Sequence, residues 1–251
     1  MFESIKNKKV LVTGATSGIG LEIGKLFAAH GASVGIHYRE NDFTAKLLLN
    51  EIQDLGVQAE LFKGDLLDTS VRDGLVSSFI ERFGCIDILV NNAGACFDYQ
   101  HFSTLKEDSW DKTFALNTKA PFCLSRDAFN FMKNHDGGVI INITTVAVKY
   151  VGASSLHYTA SKAALDTLTR GFAREGAKDH IRVNSIRCGV IETAMHSKIP
   201  GYDPENFKKR VDMIPIGHAG KPIDVARMAL FLASESSEFI TGECFSVAGG
   251  D

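Results

Sequence analysis

The sequence predicts an α/β fold built on a doubly wound parallel sheet. The first observation is that seven short runs rich in Val and Ile alternate with longer amphipathic stretches along the chain. The second is that these runs are apolar on both faces, as strands covered by helices on both sides are. Because 45% of the 251 residues are hydrophobic and no linker separates two halves, we expect a single domain over residues 1–251.

The predicted elements follow one another in a regular order. The strands are "KVLVT" (9–13), "SVGIHY" (33–38), "QAELF" (58–62), "IDILV" (86–90), "GVIINI" (138–143), "IRVNSI" (181–186) and "CFSV" (244–247), each a short apolar run. Amphipathic stretches between them predict helices at about 19–30, 42–56, 69–83, 104–134, 157–178 and 222–233. The segment 191–220 breaks this order, because it contains three prolines and no strand pattern. We interpret it as an insertion or lid.

Charge and composition exclude several classes of function. The net charge of −3 and the scattered basic residues argue against nucleic-acid binding, and the densest basic cluster, "FKKR" at 207–210, fits a solvated helix face. No stretch approaches the ~20 apolar residues of a membrane span, and the N-terminus lacks a leader pattern. We therefore expect a cytoplasmic protein without membrane contact. Five cysteines without a CxxC motif predict reduced thiols and no metal site.

The segment "TGATSGIG", from Thr13 to Gly20, lies between the first predicted strand and the first predicted helix. Its glycines allow a tight turn and close approach to a pyrophosphate, while the helix N-terminus favours an anion. It is not a P-loop, because no Gly-Lys-Ser/Thr follows. The spacing alone leaves a tight structural turn open as the alternative. The predicted cofactor contacts in this loop are Gly14, Thr16, Ser17, Gly18, Ile19 and Gly20.

The end of the second strand predicts which dinucleotide binds. Tyr38 stands where NAD-preferring enzymes often carry Asp, and Arg39 follows with a guanidinium suited to a 2′-phosphate. We therefore expect NADP(H) to be preferred, with NAD(H) use still open. The lesser alternative is an exposed Arg39 without a ligand, or one neutralised by Glu40. After the third strand, Asp65 and Leu66 are expected near the adenine, and the alternative for Asp65 is a turn cap.

Tyr158 and Lys162 are four residues apart at the start of a predicted helix. At this spacing both side chains lie on one helix face, and a nearby ammonium favours the phenolate form of a tyrosine. The pair is therefore a candidate for proton transfer. By itself the spacing is common and favours a packed tyrosine and an exposed lysine.

With "TGATSGIG", "NNAG" (91–94) and "YTASK" (158–162) in this order, the chain resembles the classical short-chain dehydrogenase/reductase family over essentially its whole length. The resemblance implies a Rossmann-type seven-stranded sheet that binds NAD(H) or NADP(H). It also implies hydride transfer between the nicotinamide and a small-molecule carbonyl or alcohol. The last strand and tail, 240–251, resemble the family's subunit-interface segment and imply a homotetramer.

The resemblance also implies roles for individual residues. Tyr158 would be the general acid in reduction and the general base in oxidation, and Lys162 would lower its pKa and hold the nicotinamide ribose. Asn117 would support a water that leads to the lysine, and Thr145 takes the position of the family's serine. Further cofactor contacts are implied for Asn92, Ala93, Gly94, Gly189, Val190 and Thr193.

Three departures from the family pattern affect the substrate side. Thr145 adds a methyl group, Cys188 replaces a proline and predicts a less rigid loop, and Val148 replaces a common glycine. A mostly apolar pocket is expected from Cys96, Phe97, Tyr150, Val151, Met195, His196, Ile199, Tyr202 and Phe207. Carrier-protein-dependent reductases of this family tend to have basic residues before the fifth strand and after the helix that carries the tyrosine. Here Asp136 and Asp179 stand in those segments, with Lys133 and Lys178 close by, which modestly disfavours an acyl-carrier substrate and leaves sugar, steroid-like and small carbonyl substrates open. The rival interpretation is a catalytically weakened regulator or sensor that binds NAD(P)H.

Overall fold

In the computed structural model, residues 2–151, 155–193 and 202–251 are described. Seven parallel strands form one sheet in the order β3-β2-β1-β4-β5-β6-β7. Their bounds are β1 Lys9–Val12, β2 Ser33–Tyr38, β3 Ala59–Lys63, β4 Ile88–Asn91, β5 Gly138–Thr145, β6 Ile181–Cys188 and β7 Cys244–Val247. The predicted α/β class, the parallel seven-stranded Rossmann-type sheet and the single domain are confirmed.

Helices connect the strands and cover both faces of the sheet. They are α1 Gly18–Ala29, α2 Asp42–Asp54, α3 Thr69–Phe83, α4 Glu107–Phe114, α5 Ala120–Met132, α6 Ala147–Tyr150, α7 Leu156–Gly176, α8 Pro204–Asp212 and α9 Pro222–Ala233. Short 3₁₀ turns lie at Glu3–Ile5, Ala177–Asp179 and Glu235–Ser237. None of the described helices combines the length and apolar character that a bilayer span requires.

The core lies on both faces of the sheet because neighbouring strand residues point in opposite directions. On β1, Val10 and Val12 join the cluster beneath α1, α2 and α9, whereas Leu11 joins the cluster beneath α3, α5 and α7. Phe27 and Phe79 are fully buried, one on each side. The strands are therefore apolar on both faces, as the sequence predicted.

The chain reverses its direction of winding between β1 and β4, which are neighbours in the sheet although β2 and β3 lie between them in sequence. Loops at the carboxyl ends of strands on either side of such a switch point separate and leave a crevice. The glycine-rich loop follows β1 and the "NNAG" turn follows β4, so both border this crevice. The fold thereby brings together two motifs that are about 80 residues apart in sequence.

The structure differs from the prediction at the long helix expected over 104–134. It begins at Glu107 and is divided by a π-helical segment, Ala115–Lys119. Pro121 has no N–H to donate to the carbonyl of Asn117, and its ring crowds that carbonyl, which accounts for the interruption. Within the predicted lid, α8 forms and Ile191 pairs with Gly220, while residues 194–201 lie outside the described part of the chain.

Candidate active site

The glycine-rich loop is fastened to the turn after β4 by Thr13. The hydroxyl of Thr13 accepts hydrogen bonds from the amides of Asn92 and Ala93, both at 3.0 Å, and donates to the carbonyl of Val90 at 3.2 Å. In the opposite direction, Asn92 Nδ2 donates to the carbonyls of Thr13 and Gly14 at 2.9 and 3.1 Å. The two motifs therefore form one unit.

Two glycines in this unit occupy positions that no larger residue could take. A Cβ on Gly20 would lie 2.4 Å from Asn92 Nδ2 and 2.5 Å from the carbonyl oxygen of Gly14. Gly14 has φ +64°, and a Cβ there would lie 3.1 Å from the Cα of Ala93. Such close backbone approach leaves the loop surface open to a ligand that itself needs close contact with main-chain amides.

The N-terminus of α1 lies next to this loop and has the character of an anion site. Ser17 is the N-cap residue, and its side chain makes no capping hydrogen bond within the described residues. The first-turn amides are thus available to a pyrophosphate, with Thr16 and Ile19 on either side of Ser17 and Gly18. Thr193 lies against this loop, since a Cβ on Gly18 would be 3.1 Å from its Cγ2. The residues present fit a dinucleotide.

His37 is a contact of this loop that the sequence analysis missed. It lies on β2 and is almost fully buried. The amide of Gly14 donates to its Nδ1 at 3.3 Å, and its Nε2 lies 3.1 Å from the carbonyl oxygen of Gly64. Burial lowers the pKa of His37 from 6.5 to about 4, so the ring is neutral near pH 7. The available signal was a histidine within an otherwise apolar strand.

Tyr38, at the end of β2, is buried and points toward α2. Its hydroxyl donates to Asp42 Oδ1 at 2.8 Å, and Lys63 Nζ lies 2.6 Å from Asp42 Oδ2. Burial raises the pKa of Tyr38, and the hydrogen bond to Asp42 adds to the shift. Hydrogen bonds from Lys63 and Tyr38 lower the pKa of Asp42. Tyr38 is one of the predicted cofactor residues, and in the structure its hydroxyl joins the end of β2 to the first turn of α2.

Arg39 is half exposed, and carboxylates lie around its guanidinium. Its Nε lies 3.0 Å from Glu40 Oε1, and its Nη1 lies 4.0 Å from Asp65 Oδ2. The pairing with Glu40 that the sequence left open is therefore present. Asp65 Oδ1 also accepts the amide of Leu67 at 2.9 Å, which is the turn-capping alternative, and Leu66 is buried beside it.

Lys162, on α7, points toward the turn after β4. Its Nζ donates to the carbonyl of Ile143 on β5 at 2.8 Å, and the side chain is almost fully buried. A Cβ on Gly94 would lie 3.0 Å from both Lys162 Nζ and Asn117 Oδ1. A larger residue at this position would have to displace the ends of both side chains, so Gly94 leaves room for the lysine and the asparagine at the end of the crevice.

Asn117 lies in the π-helical segment and is fully buried. Its Oδ1 accepts the amide of Ala95 at 3.0 Å, and its Nδ2 donates to the carbonyl of Ala95 at 2.8 Å and to Ser161 Oγ at 3.0 Å. Ser161 Oγ donates in turn to the carbonyl of Tyr158 at 2.7 Å. Asn117 therefore joins the loop after β4 to the turn of α7 that carries Tyr158 and Lys162.

The electrostatics of Tyr158 differ from the sequence expectation. Burial raises the pKa of its phenol, and the neighbouring Cys188 adds to the shift. Burial also lowers the pKa of Lys162, from 10.5 to about 8. Lys162 is not among the groups that shift the pKa of Tyr158 in this geometry, and its ammonium donates to the carbonyl of Ile143. The phenol is protonated at neutral pH in this geometry.

Thr145 and Cys188 lie side by side at the ends of β5 and β6. The Thr145 hydroxyl accepts the amide of Ala147 at 3.2 Å and keeps its own proton available as a donor. Burial raises the pKa of the Cys188 thiol to about 12, so it is not a nucleophile at neutral pH.

The loop after β6 is held by main-chain hydrogen bonds. The amide of Gly189 donates to the carbonyl of Val247 at 3.0 Å, and the amide of Gly220 donates to the carbonyl of Val190 at 2.9 Å. A Cβ on Gly189 would lie 2.8 Å from the Cα of Ala248. Cys188 itself is paired with both β5 and β7, and the less rigid loop expected from the loss of proline stays a prediction.

The described residues of the predicted pocket divide into a half-buried and an exposed group. Cys96 and Phe97 are half buried, and His157 Nε2 lies 2.9 Å from the carbonyl oxygen of Phe97. Tyr150 and Val151 have 68% and 50% of their surfaces exposed, so they line a pocket only at its rim. In the lid, the rings of Tyr202 and Phe207 lie 6.0 Å apart. Met195, His196 and Ile199 lie outside the described residues.

No group of three or more His, Cys, Asp or Glu side chains is arranged to hold a metal ion within the described residues. The described side chains provide four polar groups beside the predicted dinucleotide cradle. They are the phenol of Tyr158, the hydroxyl of Thr145, the ammonium of Lys162 and the amide of Asn117. Such a set can donate a proton to a substrate oxygen and stabilise the phenolate that remains.

Comparisons with known proteins agree with this geometry. Residues 14–251 match the family described as Enoyl-(Acyl carrier protein) reductase. The chain is 36% identical over 251 residues to a 3alpha-hydroxysteroid dehydrogenase of Mediterraneibacter gnavus, with 99% of this chain and 98% of the relative covered. It is 35% identical over 248 residues to a 3-oxoacyl-acyl-carrier-protein reductase of Thermotoga maritima, with 98% of each covered.

A similar fold has been solved for a blue fluorescent protein from a metagenomic library in complex with NADPH. The TM-score is 0.91 and the sequence identity 32%, with 98% of each chain covered. Matches of this length and identity show common descent of the whole domain and its nucleotide cradle. The chain belongs to the classical short-chain dehydrogenase/reductase family and is an NAD(P)-dependent oxidoreductase.

Proposed function

We propose that the protein transfers a hydride between NADP(H) and a carbonyl or alcohol substrate, with Tyr158 as the general acid and base. The observation that carries this proposal is the meeting of Lys162 and Asn117 at Gly94, one helical turn from Tyr158. The bound nicotinamide supplies or accepts the hydride at the substrate carbon. All other chemistry falls to side chains of the chain itself.

Tyr158 and Thr145 act on the substrate oxygen. In reduction, the Tyr158 hydroxyl gives its proton to the oxygen of the carbonyl while Thr145 donates a hydrogen bond to the same atom. The raised pKa keeps the phenol protonated and ready for this direction. In oxidation the roles reverse, and the tyrosine must first lose its proton.

Lys162 and Asn117 support the charge that develops on Tyr158. The ammonium donates one proton to the carbonyl of Ile143, which leaves two for the nicotinamide ribose and for stabilising a phenolate. Asn117 fixes the backbone of the tyrosine turn through Ser161 and holds the loop that carries Gly94 and Ala95. A water bound near its side chain would complete a path for protons to Lys162.

The decisive experiment compares turnover and cofactor binding in Tyr158→Phe. We expect loss of at least about 100-fold in kcat, the range of general acid–base catalysis, with NADPH affinity within threefold of wild type. Thr145→Ser, which keeps the hydroxyl, is the matched control and should retain turnover. An unchanged kcat in Tyr158→Phe contradicts the assignment. Wild-type binding of NADPH without turnover of any carbonyl or alcohol favours the regulator or sensor instead.

The proposed preference for NADP(H) depends on Arg39 and its competition with Glu40. A 2′-phosphate offers the guanidinium a stronger partner than the half-exposed pair with Glu40. Arg39→Ala should weaken NADPH binding about tenfold and leave NADH binding unchanged, a loss of about 1.4 kcal/mol. Glu40→Gln, the matched control, should tighten NADPH binding. Equal NADH and NADPH affinities in wild type would contradict the preference.

The proposed substrate is a mostly apolar ketone or secondary alcohol. Support comes from the half-buried Cys96 and Phe97, and from the relative that is a hydroxysteroid dehydrogenase. The matching family description and the second relative instead name acyl-carrier substrates. A turnover panel that pairs steroid and aliphatic ketones with a 3-oxoacyl thioester on an acyl carrier separates the two. Preference for the thioester would overturn this assignment.

We further propose that the protein is a homotetramer. The support is the resemblance of its last strand and tail to the family's interface segment, together with large exposed apolar side chains at Trp110, Phe122 and Phe239. Light scattering coupled to size-exclusion chromatography tests the assembly. A mass near the 27.3 kDa of one chain would contradict it.

A further inference from the structure

We propose that His37 is a positioning residue of the cofactor cradle, and that its side chain sets the affinity for NADP(H) by holding the glycine-rich loop against the loop after β3. The inference rests on the proposed cofactor site, and extends it to a residue beneath the loop surface. His37 lies on β2, whereas the proposed proton-donating side chains lie at the end of β5 (Thr145) and in the first two turns of α7 (Tyr158 and Lys162).

His37 accepts two consecutive amides of the glycine-rich loop. The amide of Gly14 donates to Nδ1 of the ring at 3.3 Å, and the amide of Ala15 donates to the main-chain carbonyl of His37 at 2.9 Å. The second bond depends only on the backbone and any residue could make it. The first requires a side-chain acceptor at this depth, which apolar neighbours in β2 lack.

The other nitrogen of the ring holds the second loop. Because Nδ1 accepts a hydrogen bond from the amide of Gly14, Nε2 carries the ring N–H and donates a hydrogen bond to the carbonyl of Gly64 at 3.1 Å. Gly64 leads directly into Asp65 and Leu66, the residues expected near the adenine. One buried imidazole thus joins the loops that flank the two ends of the adenosine diphosphate part of the cofactor.

Neither loop has free space in which to adjust. A Cβ on Gly64 would lie 2.3 Å from a methyl group of Val71, and one on Gly14 would lie 3.1 Å from the Cα of Ala93. The Gly14 turn is therefore confined between Ala93 on one side and His37 on the other. Loss of the ring would leave a buried amide without its partner and an empty space beneath the loop.

The charge state of the ring is fixed by its surroundings. Asp65 is the charged neighbour that favours the protonated ring, and burial opposes it more strongly. Protonation of Nδ1 would place two N–H donors face to face at Gly14. The cradle therefore needs the neutral ring, and the pKa of about 4 supplies it across the neutral range.

Three substitutions separate the two contacts of the ring. His37→Asn places an amide oxygen near the position of Nδ1 and keeps the acceptor for Gly14. His37→Gln reaches the position of Nε2 and keeps the donor for Gly64. His37→Leu removes both. His30→Asn is the matched control, since that ring bonds only the carbonyl of Leu26 among its described contacts, outside the cradle.

The probe is NADPH itself, followed by the increase in its nicotinamide fluorescence on binding, with thermal unfolding recorded for every variant. We expect the dissociation constant to rise about tenfold in His37→Leu and His37→Gln, and to stay within threefold of wild type in His37→Asn and His30→Asn. In His37→Leu and His37→Gln the KM for NADPH should rise together with the dissociation constant, whereas KM and kcat of the His30→Asn control should be unchanged. A purely structural role would instead lower stability without this separation of the Asn and Gln variants.

Two outcomes would overturn the inference. One is a His37→Leu protein that binds NADPH as tightly as wild type, and the other is equal affinity of the Asn and Gln variants. If the Leu variant does not fold, the comparison of Asn with Gln still decides. A wild-type protein that binds neither NADPH nor NADH would refute the proposed function as well, whereas wild-type binding with unaffected variants would refute the role of His37 alone.

Discussion

The nucleotide cradle and the substrate side of this protein are built in opposite ways. In the cradle, the loops after β1 and β4 are in such close contact that an added methyl group at Gly20 would overlap two neighbours. On the substrate side, Tyr150 and Val151 are largely exposed, and Val151 has a strained backbone with φ +58°. The cradle is thus fixed by packing, whereas the substrate side leaves room for change.

The difference follows from what each region has to bind. A dinucleotide has one shape, so hydrogen bonds such as those of Thr13, His37 and Asn92 can hold its cradle in a single conformation. A substrate pocket in a family of varied substrates is built from loops, which tolerate substitution because few contacts depend on them. Perturbations should therefore be severe in the cradle and mild on the substrate side.

The largest effect on cofactor affinity is expected from Gly20→Ala. The added methyl group would lie 2.4 Å from Asn92 Nδ2 and 2.5 Å from the carbonyl oxygen of Gly14, so the loop must shift. We expect NADPH affinity to fall at least about 100-fold, or about 2.7 kcal/mol. Gly74→Ala on α3 is the control, since nothing lies within 4 Å of its Cβ. Equal NADPH affinities of the two variants in a fluorescence titration would show that close packing at Gly20 does not hold the cradle in shape.

The next prediction concerns the pH dependence of the free energy of unfolding. The pKa of His37 is 6.5 when unfolded and about 4 when folded, so the unfolded chain binds the extra proton between these values. The contribution of His37 is complete above pH 6.5 and is lost as the pH falls through 4, amounting to about 3 kcal/mol. Urea unfolding of wild type and His37→Asn from pH 7 to 4 measures it. Parallel curves for the two proteins would show that the ring does not titrate in this range.

Asn117→Ala tests the junction between the two regions. The substitution removes hydrogen bonds to the amide and carbonyl of Ala95 and to Ser161, which leaves buried groups without partners. We expect a loss of about 1–3 kcal/mol of stability together with a lower kcat. Asn134→Ala, at an exposed asparagine that bonds only the carbonyl of Asn130 among the described contacts, should change neither. Equal thermal unfolding of both variants would show that the junction is not needed for stability.

The smallest effect is expected from Val151→Gly. A β-branched residue at φ +58° is strained, and glycine adopts this conformation freely. The substitution should stabilise the protein by about 1 kcal/mol, which is roughly 2–4 °C in Tm for a domain of this size, and leave NADPH affinity unchanged. Asn7→Gly, at φ +68°, should give a smaller gain because asparagine tolerates the left-handed region. A Tm of Val151→Gly below that of the wild type would show that the backbone at Val151 is not strained.

The sequence predicted the elements well because the strand pattern is strong. The strands β2 and β7 and the helices α3 and α9 have the predicted bounds, and the other strands differ by at most two residues at either end. The interruption at Ala115–Lys119 was not predicted, although Pro121, which disfavours a helix interior and suits a helix start, was the available signal. Helix α8 was missed because its segment is polar and rich in proline.

The sequence by itself determined the fold class and the family, and it predicted the glycine-rich loop as the cofactor site, because alternating apolar runs and three motifs in order are local features of the chain. Only the tertiary structure decided which partners these residues have. It placed Lys162 against Ile143, Arg39 beside Asp65, and Asn117 against Ala95 and Ser161. It also placed His37 beneath Gly14. Such contacts join residues that are distant in sequence, or depend on burial, and both arise only when the sheet brings the strand ends together.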